Sequence, residues 1–425
     1  MSTRSRIPRI AAAGVLVVLC VPLAFHVEAC WHDGRLIDRT PPPADYSFMR
    51  RLPVVFPPLS GVMDTHRSVF ELDLRHKDLI QVDLRPQIHA LLGKASFDSR
   101  TTWPPPPRMA LGFVPVTIME VGRNPGLGVR QLHERGITGR GISVGVVDMS
   151  LLRDHVEYRD RIRHYEEVQP LDRVEPQATM HGSAVVSILA GRTVGVAPEA
   201  AVYYIGATAL SRGPSRLLGH EREFRWYARA VERLLEINRT LPAGNRIRVI
   251  SMSIGWSPKE SGYDALTRVV QDAEAQGILV ISSSIGDTRG LYFHGLGRPP
   301  LADPENANSY EPGSWWMDGF LADRGRLRRE AILVPMDSRT TAAPNGPDDY
   351  VFYRTGGWSW SIPYIAGLYA LGVQVDPELD PETFWRLAVA TGREITWTDD
   401  RGQDHQLGPI VQPVSLIEAI RSRKP

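Results

Sequence analysis

Short apolar strands alternate with helical patterns from about residue 120 onward, and this alternation restricts the fold more than any other feature of the sequence. Parallel strands need long crossover connections, usually helices, so the alternation predicts βαβ units around a mostly parallel sheet. We therefore predict a three-layer α/β fold in which helices flank a mostly parallel central sheet. The predicted strands are Ile142–Val147, Val202–Ile205, Ile247–Met252, Ile278–Ser282 and Ile332–Pro335.

Helical patterns fill the gaps between these strands. Apolar side chains recur at spacings of three and four from Phe224 to Leu235, as one buried helix face requires. A second stretch, Tyr263–Gln276, stops at Gly277, a residue that commonly ends helices. Ile362–Val375 is apolar along one side and partly all round, which predicts a buried helix.

The composition excludes some classes of function. Of 425 residues, 43% are apolar and 23% are charged, which is ordinary for a globular protein. The net charge of +1 and the lack of an arginine or lysine cluster give no support for nucleic-acid binding. The two cysteines, Cys20 and Cys30, lie near the N-terminus, so neither a disulfide framework nor a cysteine metal site is expected in the folded body.

Residues 1–29 have the pattern of a signal peptide or an N-terminal anchor. Three arginines at the start precede an apolar run, Ile10–Phe25, and small residues then follow where a signal peptidase cleaves. The run is somewhat shorter than the roughly 20 residues of a spanning helix. Lipid attachment at Cys30 is a third alternative. All three predict export, to the outside or to the cell envelope, with membrane contact only through this segment.

Residues 30–115 are interrupted by proline runs, at Pro41–Pro43, Pro57–Pro58 and Pro104–Pro107. Proline fixes φ and lacks a donor, so such runs break helices and central strands. Between them, Val69–Leu84 alternates apolar and charged residues and predicts one or two strands. The segment fits a removable pro-region, a permanent extension or a strap across the main domain. Residues 116–425 form the predicted catalytic domain.

Three polar residues stand at the ends of apolar elements. Asp148 follows a predicted strand directly, and open α/β sheets place their sites at the carboxyl ends of strands. His181 precedes an apolar helical stretch, Ser183–Ala190. Ser359 lies in a glycine turn that enters the predicted buried helix, whose first amides face the hydroxyl. Each residue alone has a structural explanation, as a cap or a hydrogen-bonded side chain, and it is their combination that indicates catalysis.

Four segments in order resemble the signature segments of the subtilisin-like serine peptidases, or subtilases, over about residues 125–420. The order Asp, His, Ser is also that of subtilases, whereas α/β-hydrolases have Ser first and need glycine where Ser361 stands. The segments are Val144–Asp148 with His155 and Glu157, His181–Val185 with Ala190–Gly191 and Gly195–Pro198, Ser251–Gly255, and Gly357–Gly367.

The resemblance implies a subtilisin-like fold and a serine endopeptidase acting on proteins or peptides. By carry-over, Ser359 is the nucleophile, His181 its base and Asp148 the residue that orients the imidazole, with an acyl-enzyme intermediate. The segment that runs alongside bound substrate is the one holding Ser253, Ile254 and Gly255.

No cofactor is implied as a requirement. Structural calcium, which many subtilases bind, stays open at the acidic pairs Asp348–Asp349 and Asp399–Asp400. Neither pair has a ligand spacing that singles out a site, and solvated surface charge is the favoured interpretation.

The chain departs from the family at the oxyanion position. Asp287 stands where subtilases have an asparagine whose amide donates to the oxyanion, and an ionised carboxylate cannot donate. Losing one such donor typically costs about 10²–10³ in turnover. Another group serves instead, with Asn306, Asn308 and 282–284 as candidates, or the enzyme is slow or narrowly specific, or the chain is a catalytically weak scaffold with a binding or regulatory role. A non-peptidase serine hydrolase would use the same triad.

Tryptophans surround the predicted nucleophile. Trp358 and Trp360 flank Ser359 where small or flexible residues are usual, and they either narrow a subsite or pack against the core, with packing favoured. The stretch 288–330 is long, polar and loop-like, with Trp315 and Trp316 in its middle. It is interpreted as part of the substrate cleft or as surface decoration.

Overall fold

The structure, a computed structural model, describes residues 35–54, 56, 71–169, 176–209, 222–323, 325 and 331–423. The predicted signal peptide or anchor and Cys30 lie outside the described residues. Within them, no helix combines the length and the apolar character needed to cross a bilayer.

The described chain folds into fifteen strands and eleven α-helices. The strands are β1 (Arg35–Ile37), β2 (Leu72–Asp73), β3 (Ala95–Asp98), β4 (Ser143–Asp148), β5 (Ile162–Gln169), β6 (Ala201–Ala207), β7 (Ile247–Met252), β8 (Leu279–Ile281), β9 (Tyr292–Gly297), β10 (Glu311–Pro312), β11 (Ala331–Pro335), β12 (Arg339–Ala342), β13 (Tyr350–Tyr353), β14 (Arg393–Thr398) and β15 (Asp404–Ile410). The helices are α1 (Ile88–Lys94), α2 (Pro115–Arg123), α3 (Val129–Glu134), α4 (Met180–Ala190), α5 (Arg225–Thr240), α6 (Tyr263–Ala275), α7 (Ile285–Arg289), α8 (Met317–Ala322), α9 (Trp358–Val375), α10 (Pro381–Ala390) and α11 (Pro413–Arg421).

The central sheet has the strand order β1-β5-β6-β4-β7-β8. All its neighbouring pairs are parallel except β1 with β5, and Val147 of β4 lies opposite Ile205 of β6 and Met252 of β7. Residues of α4 and α9 join one apolar core on one face of this sheet, and residues of α5 and α6 join another on the opposite face. The predicted three-layer α/β fold with a mostly parallel sheet is confirmed.

Helix α9 is buried on all sides along most of its length. From Trp360 to Val373 every residue is buried, as its nearly uniform apolar sequence predicts. It packs against α4 and against strands β7 and β11, so no face of the helix needs polar side chains. The residues just before it are therefore held at a fixed place relative to the sheet.

The described part of the stretch 288–330 contains regular structure, so the prediction of a loop is wrong. It contains β9, which pairs in parallel with β11, and β10, which pairs antiparallel with β9. These strands belong to a second sheet with the order β10-β9-β11-β15-β14. Strand β9 is short and has glycines at 295 and 297, so its local sequence lacks the apolar alternation of a strand. Its pairing with the apolar β11 stabilises it instead.

The proline-rich segment contributes to two sheets. Strand β1 pairs with β5 and forms one edge of the central sheet, and β3 pairs antiparallel with β13 in a third sheet of order β12-β13-β3-β2. Within the alternating stretch 69–84, the described residues include one strand, the two-residue β2. A separate apolar core lies beneath these elements, with the rings of Phe97 and Phe352 5.2 Å apart.

Candidate active site

Asp148 is the last residue of β4, the strand between β6 and β7. Every residue of β4 is buried, and Asp148 itself is only 1% exposed. Its Oδ1 accepts a hydrogen bond from the backbone N–H of Met149 at 2.8 Å. The apolar strand thus delivers a carboxylate to the carboxyl edge of the sheet, as the sequence predicts.

His181 lies in the first turn of α4 and contacts that carboxylate. Its Nδ1 is 2.6 Å from Oδ1 of Asp148. The helix start is fixed by its N-cap residue, Thr179, whose Oγ1 accepts from the N–H of Gly182. The N–H and the hydroxyl of Thr179 both donate to the carbonyl of Ser150, at 2.8 and 2.9 Å, which ties the helix to the loop after β4.

Gly182 allows α4 to approach the end of β4. A Cβ at this position would lie 2.6 Å from the carbonyl oxygen of Met149 and 2.6 Å from the hydroxyl oxygen of Tyr204. Both distances are shorter than real Cβ contacts, so any other residue would push the helix away. The close approach sets the distance between His181 and Asp148.

The electrostatics of this pair favour a charged imidazole. Burial of the ring would lower the pKa of His181, but the charge of Asp148 and the hydrogen bond to it outweigh burial and raise that pKa above its ordinary value. An ionised carboxylate only accepts hydrogen bonds, so Nδ1 carries a proton. In the neutral imidazole, Nε2 is then the proton-accepting atom.

Ser359 is the second residue of α9 and follows a glycine turn. Gly357 has φ 94°, in the left-handed region, so the turn requires glycine. The Ser359 hydroxyl donates to the carbonyl of Ser253 at 3.5 Å. In the part of the chain that the structure describes, no hydrogen bond joins this hydroxyl to His181. The next residue, Trp360, packs beside the imidazole with ring centroids 5.5 Å apart.

Pro363 frees the carbonyl of Ser359 from the helix. Proline has no N–H, so the bond that residue 363 would donate to the carbonyl four residues earlier is missing. That carbonyl accepts instead from the hydroxyl of Ser253, at 3.0 Å. Ser253, predicted to run alongside substrate, thus contacts both the hydroxyl and the carbonyl of Ser359.

The next residues of the predicted substrate segment, Ile254 and Gly255, lie beside the residues that follow β8. The carbonyl of Ile254 accepts from the N–H of Ser283 at 3.0 Å. Gly255 is partly exposed and has no backbone hydrogen bond to any described residue. An extended peptide pairs with exposed backbone groups of this kind.

The candidate oxyanion donors are dispersed. Asp287 lies exposed in the first turn of α7, and its carboxylate has no partner among the described side chains. Asn306 caps a 3₁₀ turn by accepting from the N–H of Asn308, whose own side chain contacts Arg393 of β14. Both asparagine oxygens therefore bond to neighbours of their own, and among the described residues neither side-chain amide bonds to Ser359.

The two other candidate sources of a donor differ in whether their groups are already paired. Ser284, in the stretch 282–284, uses its hydroxyl to bridge the N–H and the C=O of Trp256, at 2.9 and 3.0 Å. The start of α9 has no side-chain cap, so the amides of Trp358 and Ser359 are free of intrahelical partners. These backbone N–H groups, at the positive end of a long helix, suit a developing negative charge.

Asp337 binds the turn before Ser359, and it is absent from the residues that the sequence singled out. Its carboxylate is 2% exposed, and Oδ1 accepts from the N–H of Gly356 at 2.8 Å. Oδ2 accepts from the N–H and the hydroxyl of Ser314, both at 3.0 Å. Burial raises the pKa of Asp337, although Arg354 and these donors oppose it. A signal did exist, because Asp337 comes two residues after the predicted strand 332–335, much as Asp148 comes directly after the predicted strand 142–147.

The acidic pairs considered for calcium already have protein partners. Asp349 accepts from Arg100 at 2.7 Å, and Asp399 pairs with His405 at 3.1 Å. Among the described residues, no group of three or more histidine, cysteine, aspartate or glutamate side chains is arranged to hold a metal ion.

The subtilase family model matches residues 139–334. That stretch includes Asp148, His181 and Asp287, and it ends before Ser359. Among curated proteins, the chain is 26% identical to the subtilisin-like protease PopC of Myxococcus xanthus (strain DK1622), over 57% of this chain and 54% of the relative. The chain therefore spans about half the length of that relative.

Two solved structures are also similar. One is the Prenylagaramide maturation protease PagA, with 15% identity and a TM-score of 0.45, covering 69% of this chain and 98% of that one. The other is the serine protease MycP1, an essential component of the type VII (ESX-1) secretion system, with 18% identity and a TM-score of 0.44, covering 70% and 89%. At these TM-scores neither likeness carries an argument about fold or function.

The family model and the geometry concern the same elements. The matched residues include the strand that carries Asp148 and the helix that carries His181, and the two side chains are 2.6 Å apart. The segment with Ser253, which contacts Ser359, is matched as well. Residues 139–334 are therefore similar to the subtilase family, in the part of the chain that carries Asp148, His181 and Ser253.

Proposed function

We propose that the protein is an exported serine endopeptidase in which Asp148, His181 and Ser359 form a catalytic triad. The observation that carries the proposal is the hydrogen bond from Nδ1 of His181 to Asp148, because it leaves Nε2 as a base. Ser359 is the second residue of the helix whose third residue, Trp360, packs against the same imidazole. For catalysis, the hydroxyl of Ser359 would have to leave the carbonyl of Ser253 and donate to Nε2 of His181.

The chemistry would proceed in two stages. The Ser359 oxygen attacks the peptide carbonyl while its proton passes to Nε2 of His181. The C–N bond then breaks, and the leaving amine takes that proton, which leaves an acyl ester on Ser359. Water, deprotonated by the same imidazole, hydrolyses the ester and restores the hydroxyl. Asp148 stays ionised and stabilises the imidazolium in both stages.

The oxyanion would be held by backbone amides at the start of α9. The uncapped first turn supports this assignment, and the exposed carboxylate of Asp287 supplies no donor. With one donor fewer than a complete oxyanion hole, we expect turnover about 10²–10³ below that of an enzyme with both. The open backbone of Gly255 would pair with an extended peptide, which favours an endopeptidase.

A fluorophosphonate probe, which reacts with activated serines, tests the proposal. We expect the wild-type protein to be labelled and Ser359→Ala and His181→Ala to remain unlabelled. Ser361→Ala is a matched control, because Ser361 is buried in the same helix and its hydroxyl has no partner. Its loss should leave labelling and folding intact. Equal labelling of wild type and Ser359→Ala would refute the triad.

A second candidate is a weakly active scaffold that binds rather than cleaves. The favouring observations are the hydroxyl of Ser359, which contacts Ser253 and not His181, and the carboxylate at 287. A scaffold would bind peptides but resist the probe at every pH. Repeating the labelling experiment from about pH 6 to about pH 9 distinguishes the endopeptidase from the scaffold. This range covers the titration of a histidine whose pKa is raised.

A further inference from the structure

Four tryptophans near Ser359 divide into two buried and two exposed rings. Trp316 is 8% exposed and Trp360 is 5% exposed, so both pack in the interior. Trp315 is 62% exposed and Trp358 is 39% exposed. Tryptophan is rarely so open on a protein surface, because its large apolar ring gains free energy from burial. We call the two exposed rings, Trp315 and Trp358, the indole pair.

Both rings of the indole pair lie at the turn that presents the nucleophile. Trp358 directly precedes Ser359, and its ring contacts those of Phe293 and His294, with centroids 6.4 and 6.0 Å away. Trp315 lies over Gly357, where a Cβ would be 3.4 Å from its indole nitrogen. The pair therefore borders the start of α9 from two different segments of the chain.

The loop that carries Trp315 is anchored on both sides of that residue. On one side, Ser314 is bound by the buried carboxylate of Asp337, which also binds Gly356 of the nucleophile turn. On the other side, Trp316 stacks on His294 at 4.5 Å and donates to the carbonyl of Gly295. Trp315 is thus held in place while its own ring stays in solvent.

We propose that the indole pair forms a subsite for an aromatic or large aliphatic side chain of the peptide cleaved at Ser359. This inference rests on the proposed function. The occupant follows from position and chemistry: a peptide at Ser359 passes over Trp358, and two indole faces offer apolar and ring-stacking contact. Ordered placement before binding lowers the entropic cost of the contact.

Binding to the Ser359→Ala variant tests the subsite without relying on turnover. The probes are blocked alanine–serine octapeptides in which a single phenylalanine occupies successive positions, with an all-alanine version for comparison. We expect one phenylalanine position to tighten binding about tenfold, as an aromatic contact and its buried area allow. Adding Trp315→Ala or Trp358→Ala should remove most of that gain and leave the all-alanine peptide unchanged.

Leu111→Ala is the matched control, because Leu111 is an apolar side chain that is 97% exposed and outside the indole pair. It should keep the full preference for phenylalanine. Equal binding of all octapeptides to Ser359→Ala, or a preference that survives loss of both indoles, overturns the subsite. The subsite is also overturned if sedimentation shows that the one effect of Trp315→Ala is to dissociate a dimer. The indole pair would then be a contact between two copies of the chain.

The two proposals fail in different ways. If the triad assignment is wrong, wild-type protein resists the fluorophosphonate probe, whatever the octapeptides show. If the subsite alone is wrong, the probe labels Ser359 normally and the octapeptides bind without preference. In a labelled and active protein, the cleavage products should also place the bond at a constant distance from phenylalanine.

Discussion

Asp148 illustrates how a single buried charge is maintained. A carboxylate removed from water is costly unless it is paired and hydrogen-bonded. Here the backbone N–H of Met149 and the imidazole of His181 both donate to Oδ1. The same contacts that stabilise the charge also fix which nitrogen of His181 carries the proton. At this position, stability and the proposed catalysis require the same hydrogen bond.

Asp148→Asn should separate charge from shape. Catalysis needs neutral His181, so activity falls as the pH drops through its pKa, which Asp148 raises above about 6.5. Without the negative charge, this acid limb should move to lower pH, and kcat/KM should fall by about 10⁴ because the amide favours the wrong tautomer. The pH profile of kcat/KM measures both effects.

The same shift predicts the pH dependence of stability. A histidine with a raised pKa in the folded state stabilises the protein fully below its unfolded value, near 6.5, and this contribution is lost as the pH rises through the folded value. Denaturant unfolding of wild type should show this loss, and Asp148→Asn should not. Asp287→Asn is the control, because that carboxylate is exposed and unpaired. If the acid limb of the kcat/KM profile stays at the same pH in Asp148→Asn as in wild type, Asp148 is not the group that raises the pKa of His181.

At the scale of elements, the start of α4 joins the two halves of the pair. Thr179 caps the helix and also donates twice to Ser150, in the loop after β4. The helix and the loop after the strand are therefore connected by one backbone and one side-chain bond from Thr179, two residues before His181. Gly182 removes the Cβ that would separate them.

Replacing the cap tests this connection. Thr179→Ala should lower the free energy of unfolding by about 1 kcal/mol, since the N–H of Gly182 loses its acceptor. It should also lower kcat more than it raises KM, because the imidazole is placed less accurately. Thr179→Ser keeps the hydroxyl and should restore most of both. Denaturant unfolding and steady-state kinetics give the two readings, and an alanine variant with unchanged kcat would show that the cap serves stability alone.

At the scale of the whole molecule, the N-terminal segment supports the nucleophile turn. Strand β3 pairs with β13, the strand that leads into that turn. The N–H of Arg354, which follows β13, donates to the hydroxyl of Ser96, and its guanidinium donates to the carbonyl of Leu92. Removing this segment would uncover Phe352 and leave one edge of β13 without a partner strand. Unpaired strand edges of this kind promote aggregation.

We therefore predict that residues 71–115 stay in the mature protein while the first 29 are removed on export. The intact mass of the exported form checks both. Phe97→Ala should lower the free energy of unfolding by about 3–5 kcal/mol, because Phe97 is 1% exposed in the shared core. Leu111→Ala, at an exposed position, should change it by less than about 0.5 kcal/mol. A mature chain beginning after residue 115 with unchanged stability would identify a pro-region instead.

The elements of the central sheet were predictable from sequence because each carries its own periodicity. Strand β7 runs from Ile247 to Met252 as predicted, and α6 begins at Tyr263 as predicted. The positions of Asp148 and His181 at element ends, together with the resemblance of their segments to those of subtilases, led to the expectation that they meet. Such features depend on a few neighbouring residues and on which face of an element is apolar.

Contacts between distant segments determined the rest. Strand β9 forms because β11 pairs with it, and Asp337 binds residues 19 and 23 positions away along the chain. Burial of Trp360 beside exposure of Trp358, two residues earlier, depends on which helix face meets the core. The hydroxyl of Ser359 takes the carbonyl of Ser253, a choice between rotamers that no local pattern records. Local sequence sets the propensity and burial of each element, whereas pairing partners and side-chain rotamers are set by packing against residues that are remote in sequence.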